Sequence, residues 1–134
     1  MVDTGPLVAA ALVDDPDHER CARWFATTPA TLVVPDLVIP EVCYLLASGA
    51  RTNVEAAFLD SLVGSRLRVE HIGDVDIRRA AALVRTYADF PLGTVDAGIV
   101  AVAERLGVTE VATLDLRHFR AIRPTHVSAF ELVP

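Results

Sequence analysis

Residues 94–115 read TVDAGIVAVAERLGVTEVATLD, and this stretch decides the fold. Its first part, 95–106, is an alanine- and valine-rich segment that predicts a helix, and Gly107 is typical of the residue that ends one. The second part, 108–114, predicts a strand that places Asp115 at its end. A helix that leads directly into a strand is typical of α/β proteins.

The same alternation continues on both sides of this stretch. Further helices are predicted at 4–13, 17–26, 37–47, 53–63, 74–87 and 116–119, and further strands at 1–2, 31–34, 67–72 and 130–133. Thr4, Asn53, Asp74 and Thr94 are predicted helix caps, Gly49 is predicted to end the third helix, and 91–93 is predicted to form a loop. This order predicts an α/β fold of three layers, with a mostly parallel central sheet, helices on both faces and 130–133 as an edge strand.

Composition limits the class of protein. The 134 residues suit a single domain spanning 1–134, and a hydrophobic content of 52% supports a packed core. Cys21 and Cys43 are predicted to be buried free thiols, and no signal peptide or membrane-spanning run is found. These features predict a cytoplasmic protein without membrane contact. The wealth of Ala, Val and Arg without any Lys points to a bacterial source with a GC-rich genome.

The charge of the chain argues at first against nucleic acid as a partner. The formal net charge is −6, and all 12 basic residues are arginine. Phosphate contacts need local positive charge, so an acidic chain needs another source of it.

Four carboxylates share a position that predicts a site. Asp3 and Asp115 each follow a predicted strand, and ligands of parallel sheets bind beyond the carboxyl ends of the strands. Glu41 and Asp96 each lie in the first turn of a helix, where the helix dipole favours negative charge. If the fold is as predicted, the four acids meet at one edge of the sheet.

A divalent metal ion is the natural partner of such a cluster, because like charges in close proximity repel. Oxygen-only ligands select hard cations, Mg²⁺ or Mn²⁺, whereas the four histidines are too scattered for a zinc site. A hard metal ion held by carboxylates activates water and stabilises charge on a phosphodiester. It also supplies the positive charge that the chain lacks.

The motifs resemble those of PIN-domain ribonucleases, and in particular the VapC toxins of type II (VapBC) toxin–antitoxin systems. The resemblance extends over essentially the whole chain, and four segments carry it in order: VDTGPL at 2–7, Glu41 in a helix start, LGTVDA at 92–97 and ATLDLRHF at 112–119. The resemblance implies Asp3 and Asp96 as principal metal ligands, with Glu41 and Asp115 completing the acidic pocket. It also implies a metal-dependent endoribonuclease acting on RNA, a homodimer, and a VapB-type antitoxin as partner.

Ordinary structural roles remain open for the same residues. Asp3 could simply end a strand, Asp115 could cap the helix that follows, and Glu41 or Asp96 could serve only the helix dipole. Thr113 shares a strand face with Asp115, so it is either a supporting residue of the site or a plain strand former. Thr4 is a cap first and a supporting residue second.

Residues after the last acid are candidates for phosphate contacts: Arg117, His118, Arg120 and Arg123. Asp89 is a candidate fifth acid, although a solvated helix end is the simpler interpretation.

Other enzyme classes are excluded by missing residues. A phospho-receiver domain needs a lysine at the site, and a haloacid-dehalogenase-type phosphatase needs a lysine and an Asp-x-Asp motif. The glycine-rich motif of dinucleotide-binding domains is absent, as is a P-loop. The remaining alternative is a catalytically silent PIN-like module that binds RNA or protein.

Overall fold

The computed structural model describes residues 1–48, 53–90 and 92–134. The helices are α1 (Thr4–Ala11), α2 (His18–Thr27), α3 (Val38–Ala47), α4 (Val54–Ser61), α5 (Asp74–Thr86), α6 (Thr94–Leu106) and α7 (Leu116–Ala121). The strands are β1 (Leu32–Pro35), β2 (Leu67–Glu70), β3 (Glu110–Ala112) and β4 (Glu131–Val133). Every predicted element lies near its predicted position, but the predicted helix end at Gly49 and the Pro91 part of the predicted loop lie outside the described residues.

The sheet is parallel and is held together by the first residues of the chain. Strand β1 pairs with β2, and β3 pairs with β4, both in parallel. Between these pairs, the N–H of Val2 donates to the carbonyl of Val33 at 2.9 Å, and the N–H of Ala112 donates to the carbonyl of Met1 at 2.8 Å. The spatial order is therefore β2, β1, residues 1–3, β3, β4, which confirms the predicted parallel sheet and puts β4 at an edge.

Helix α6 lies at the centre of the core. Residues 97–103 are all buried, so this helix is covered on every side rather than on one face. Gly98 permits the packing, because a Cβ at this position would come within 2.5 Å of a Leu37 methyl group. Helix α5 packs against α6, while α3 and α6 both pack against β1. This arrangement agrees with the prediction of a sheet flanked by helices.

Strand β3 is shorter than the predicted strand at 108–114, and its neighbours explain why. Gly107 has a positive φ of 67° and ends α6, and the N–H of Val108 donates back to the carbonyl of Ala103 at 2.9 Å. Beyond the strand, the N–H of Asp115 turns back to the Thr113 hydroxyl at 2.9 Å. The first residues of 108–114 therefore belong to the end of α6, and the last ones belong to a turn, so only the middle forms a strand.

Three predicted caps are wrong, and two of them are Thr4 and Thr94. Asp3, not Thr4, caps α1, because its carboxylate accepts the N–H of Thr4 at 2.7 Å. Thr94 is the first residue of α6, and the N-cap is Gly93, which supplies no side-chain hydrogen bond. In both cases the residue one position earlier has the extended backbone that an N-cap requires.

The third wrong cap leads to a buried ion pair. Helix α5 begins at Asp74, and it is the carboxylate of Asp76 that accepts the N–H of Gly73 at 2.9 Å. The Asp76 side chain is only 2% exposed, and both of its oxygens accept from Nε of Arg105, at 2.9 and 3.1 Å. Burial alone would raise the pKa of Asp76, but the hydrogen bonds from Arg105 and Gly73 outweigh it and lower the pKa.

Replacing Asp76 by alanine is expected to lower the free energy of unfolding by about 3 kcal/mol, because it removes the buried partner of the Arg105 guanidinium, which then keeps its ion pair with Glu70, and it removes a helix cap. Asp74→Ala is the matched control, since Asp74 is exposed and its ion pair with Arg78 is 3.6 Å long. Urea unfolding measures both variants. Equal losses in the two would contradict the role given to the buried pair.

Among the described residues, no helix combines the length and the apolar character needed to cross a membrane.

Candidate active site

The four predicted acids line one open cavity of about 790 Å³. Asp3 comes from the end of the first strand segment, Glu41 from α3, Asp96 from α6 and Asp115 from the start of α7. The cavity is also lined by Thr4, Gly5, Leu45, Gly93, Leu114, Leu116, Arg117 and His118. The fold thus brings together four carboxylates that are far apart in sequence.

Asp3 is the most deeply buried of these acids. Its side chain is held from two directions, by the N–H of Thr4 at 2.7 Å and by the hydroxyl of Thr113 at 2.7 Å. Burial is the main cause that raises the pKa of Asp3 from 3.8 to about 6, and the charges of Asp96 and Glu41 raise it further, against the two hydrogen bonds. An ionised carboxylate at this position is therefore costly unless a cation balances it.

Glu41 is tied to the same end of α1. The Thr4 hydroxyl donates a hydrogen bond to the Glu41 carboxylate, so α1 and α3 are linked at the cavity. Thr4 therefore supports the acids with its backbone N–H and with its hydroxyl. Unlike Asp3, Glu41 is exposed to solvent, which leaves its other oxygen open to the cavity.

A histidine joins the remaining two acids. Nδ1 of His118 is hydrogen-bonded to a carboxylate oxygen of Asp96 at 3.0 Å and lies 2.9 Å from a carboxylate oxygen of Asp115. The other oxygen of Asp115 accepts the N–H of His118 at 3.1 Å and caps α7. Burial, then the nearby charges of Asp115 and Glu41, raise the pKa of Asp96, although His118 acts in the opposite direction.

Gly5 allows α1 to approach Leu114 closely. A Cβ at Gly5 would lie 3.2 Å from Cβ of Leu114, closer than ordinary packing allows. Because α1 starts beside Leu114, Asp3 and Asp115 are held on the same side of the sheet.

Comparison with known proteins identifies the family. The family model of the PIN domain matches residues 1–123. This chain belongs to the PIN-domain family. It is 33% identical over 134 residues to ribonuclease VapC26 of Mycobacterium tuberculosis, an alignment that covers 100% of this chain and 99% of that protein.

A solved structure supports the same fold. The crystal structure of Mycobacterium tuberculosis VapC20, a toxin described as cleaving the sarcin–ricin loop, matches this PIN domain with a TM-score of 0.83 and 22% sequence identity. The match covers 95% of this chain and 97% of that chain. The predicted PIN-like α/β fold is thereby confirmed.

The four carboxylates of this PIN domain are donors that suit a hard cation, but they are not grouped around one common point. Within residues 1–48, 53–90 and 92–134, no three His, Cys, Asp or Glu side chains are grouped closely enough to hold a metal ion. Protein hydrogens from Thr4, Thr113 and His118 instead occupy carboxylate oxygens. Four carboxylates in one cavity, two of them with a raised pKa, still form an oxygen-only set of the kind that Mg²⁺ and Mn²⁺ prefer.

The sequence did not predict that His118 joins two acids. The spacing of three residues from Asp115 on α7 is a signal that could have indicated that contact, because such pairs face each other on a helix. The contact with Asp96 depends on packing between α6 and α7 and leaves no signal in sequence.

Other predicted candidates fall outside the cavity. Asp89 is exposed and does not line it, which agrees with the simpler interpretation of a solvated helix end. Arg120 and Arg123 do not line it either, and the Arg123 guanidinium donates to the carbonyls of Arg120 and Ile122.

Replacing His118 by alanine is expected to destabilise the metal-free PIN domain by about 1 kcal/mol, because Asp96 loses a hydrogen bond and Asp115 loses its close contact with the imidazole. His71→Ala is the matched control: its Nδ1 also lies 3.0 Å from a carboxylate, that of Asp36, but the side chain is 89% exposed. Thermal unfolding in EDTA measures both, and Mg²⁺ is expected to restore part of the loss in the His118 variant alone. Equal losses in both variants, or no recovery with Mg²⁺, would contradict this role of His118.

Proposed function

We propose that this PIN domain is a metal-dependent endoribonuclease, the toxin of a type II toxin–antitoxin pair. The observation that carries the proposal is the convergence of Asp3, Glu41, Asp96 and Asp115 on one cavity. It is supported by the full-length similarity to a ribonuclease of the VapC type. The reaction is hydrolysis of an RNA phosphodiester.

The residues divide the work as follows. Asp3 and Asp96 are the principal ligands of Mg²⁺ or Mn²⁺, since their burial leaves their charge most in need of a cation. When bound, the ion supplies a Lewis acid and an activated water. Glu41 and Asp115 are more exposed, and they orient water on the open side of the cavity.

Supporting residues keep the acids in place. Thr113 fixes one oxygen of Asp3, and its own oxygen accepts the N–H of Asp115, so one hydroxyl links two acids. Thr4 links Asp3 to Glu41 with two groups, because its backbone N–H donates to Asp3 and its hydroxyl donates to Glu41. These links hold the carboxylates in place before the substrate arrives, which is where most of the catalytic advantage of such sites lies.

The partners follow from the same proposal. A VapB-type antitoxin blocks the cavity, the chain acts in the cytoplasm, and two copies form a homodimer. An apolar cavity of about 490 Å³, lined by residues of α1, α2 and α4 among others, offers a surface for partner contacts. Exposed apolar side chains on α3 and α4 offer a second surface: Tyr44, Leu45 and Leu59.

The alternative is a silent PIN-like module that binds RNA or protein without cleaving it. All four acids are retained and share one cavity, which favours the enzyme. Burial raises the pKa of Asp3 to about 6, a cost that the capping role of Asp3 does not require and that a bound cation would offset.

Cleavage of a labelled RNA by the purified protein tests the proposal. Activity is expected with Mg²⁺ or Mn²⁺ and is expected to disappear in EDTA. Asp74→Asn, a carboxylate change far from the cavity, is expected to retain full activity. Cleavage that persists in the chelator would contradict the metal-dependent mechanism.

A further inference from the structure

Arg117 is a cation inside the acidic cavity that does not pair with the acids. In the described part of the chain, other arginines form ion pairs with carboxylates: Arg20, Arg68, Arg78, Arg79 and Arg105. Arg117 lines the same cavity as Asp3, Glu41, Asp96 and Asp115, yet it forms no ion pair with any of them among the described residues. Its charge is therefore available to a ligand.

An aromatic ring holds the guanidinium instead. Cζ of Arg117 lies 5.0 Å from the centroid of the Phe90 ring and sits over the ring. A guanidinium that lies over an aromatic ring keeps its N–H donors free at its edge, where they can meet an anion. Phe90 therefore restricts the position of Arg117 without consuming its hydrogen bonds.

The same ring is connected to the acids. Phe90 contacts the His118 ring edge to face, with centroids 5.2 Å apart and planes at 89°. His118 in turn contacts Asp96 and Asp115 through Nδ1. Arg117 is therefore placed in the cavity by contacts that also reach Asp96 and Asp115, two positions after the Asp115 cap of α7.

The guanidinium of Arg117 indicates which kind of ligand it would bind. A guanidinium presents a planar fork that matches the oxygens of a phosphate, and a chain of net charge −6 needs such a donor to attract a polyanion. We infer that Arg117, held over the Phe90 ring, binds a backbone phosphate of the RNA next to the one that is cleaved. This inference rests on the proposed function, because it assigns a substrate contact to the same site.

Binding and cleavage of one RNA test the inference separately. Fluorescence anisotropy with a labelled single-stranded RNA in EDTA measures the contact without cleavage. Arg117→Gln is expected to raise the Kd about fivefold and to reduce the salt dependence of binding by about one ion. Arg23→Gln is the matched control, since Arg23 is an exposed arginine that lines a different cavity, and it is expected to bind like the wild type.

Steady-state cleavage with Mg²⁺ gives the second readout. Arg117→Gln is expected to raise KM by a similar factor and to leave kcat within about twofold, because a flanking phosphate is held equally before and during the reaction. Arg117→Lys keeps the positive charge but not the planar guanidinium. Its Kd and KM are expected to lie between those of the wild type and those of Arg117→Gln. A Kd and KM equal to those of Arg23→Gln, or a fall in kcat at constant KM, would overturn the assignment. A wild type that binds RNA through Arg117 but cleaves none would refute the proposed function and leave the phosphate contact standing.

Discussion

Asparagine in place of Asp96 is expected to lower kcat/KM for RNA cleavage by at least about a thousandfold, which corresponds to about 4 kcal/mol of lost transition-state stabilisation. Asp96 stands at the start of α6, whose residues 97–103 are buried, so its backbone is rigidly placed. Its side chain is 16% exposed, and burial raises its pKa. Asparagine keeps the shape of the side chain but removes the charge that a metal ion needs.

Asp115→Asn is the graded comparison for this prediction. The side chain of Asp115 is 44% exposed, and one of its oxygens is engaged as the cap of α7. We expect a smaller loss of activity, about tenfold to a hundredfold, together with about 1 kcal/mol of lost stability. Initial rates with a labelled RNA, checked by circular dichroism for intact folding, measure both variants. A folded Asp96→Asn variant that keeps more than a tenth of wild-type activity would contradict the assignment.

Asparagine in place of Asp3 is expected to raise the stability of the metal-free protein and to abolish its activity. Burial raises the pKa of Asp3 to about 6 in the folded chain, against 3.8 without these surroundings. At about 1.4 kcal/mol per pH unit, this difference corresponds to a cost on the order of 3 kcal/mol for the ionised form in the fold. Asp3→Asn removes that cost and is expected to stabilise the metal-free protein by about 2 kcal/mol at pH 7.5, while it abolishes cleavage.

The sign of the pH dependence follows from the same pKa. Between pH 3.8 and about 6 the folded chain binds more protons at Asp3 than the unfolded chain does. The stability of the metal-free wild type therefore falls as the pH rises through this window and then levels off, as far as Asp3 contributes. Asp3→Asn is expected to lack this slope. Urea unfolding in EDTA at several pH values measures it, and a wild-type curve that rises through the window relative to the variant would contradict the pKa argument.

The sequence predicted the fold well because its strongest signals are local. The buried helix α6 and its end at Gly107 follow from an apolar run and a glycine with positive φ. The four acids were predicted for the same reason, since each one directly follows a strand or lies in the first turn of a helix. Their meeting at one cavity then follows from the parallel order of the strands.

The features that the sequence missed depend on packing or on a shift of one residue. Thr4 and Asp3 are neighbours that can both cap a helix, and the structure shows the extended backbone of an N-cap at Asp3. The contact between His118 and Asp96 joins α7 to α6. The contact between Arg117 and the Phe90 ring joins α7 to the segment that follows α5. Such contacts leave no periodic pattern in the chain.

Titration of Mn²⁺ into the metal-free protein, followed by calorimetry and by thermal unfolding, tests most directly whether these carboxylates form a metal site. Saturable binding is expected in the wild type, with about 2.7 kcal/mol of added stability at a hundredfold excess over Kd. Asp96→Asn is expected to lose the heat of binding and the gain in stability together. No binding to the wild type, or equal binding to the variant, would contradict the metal-dependent mechanism.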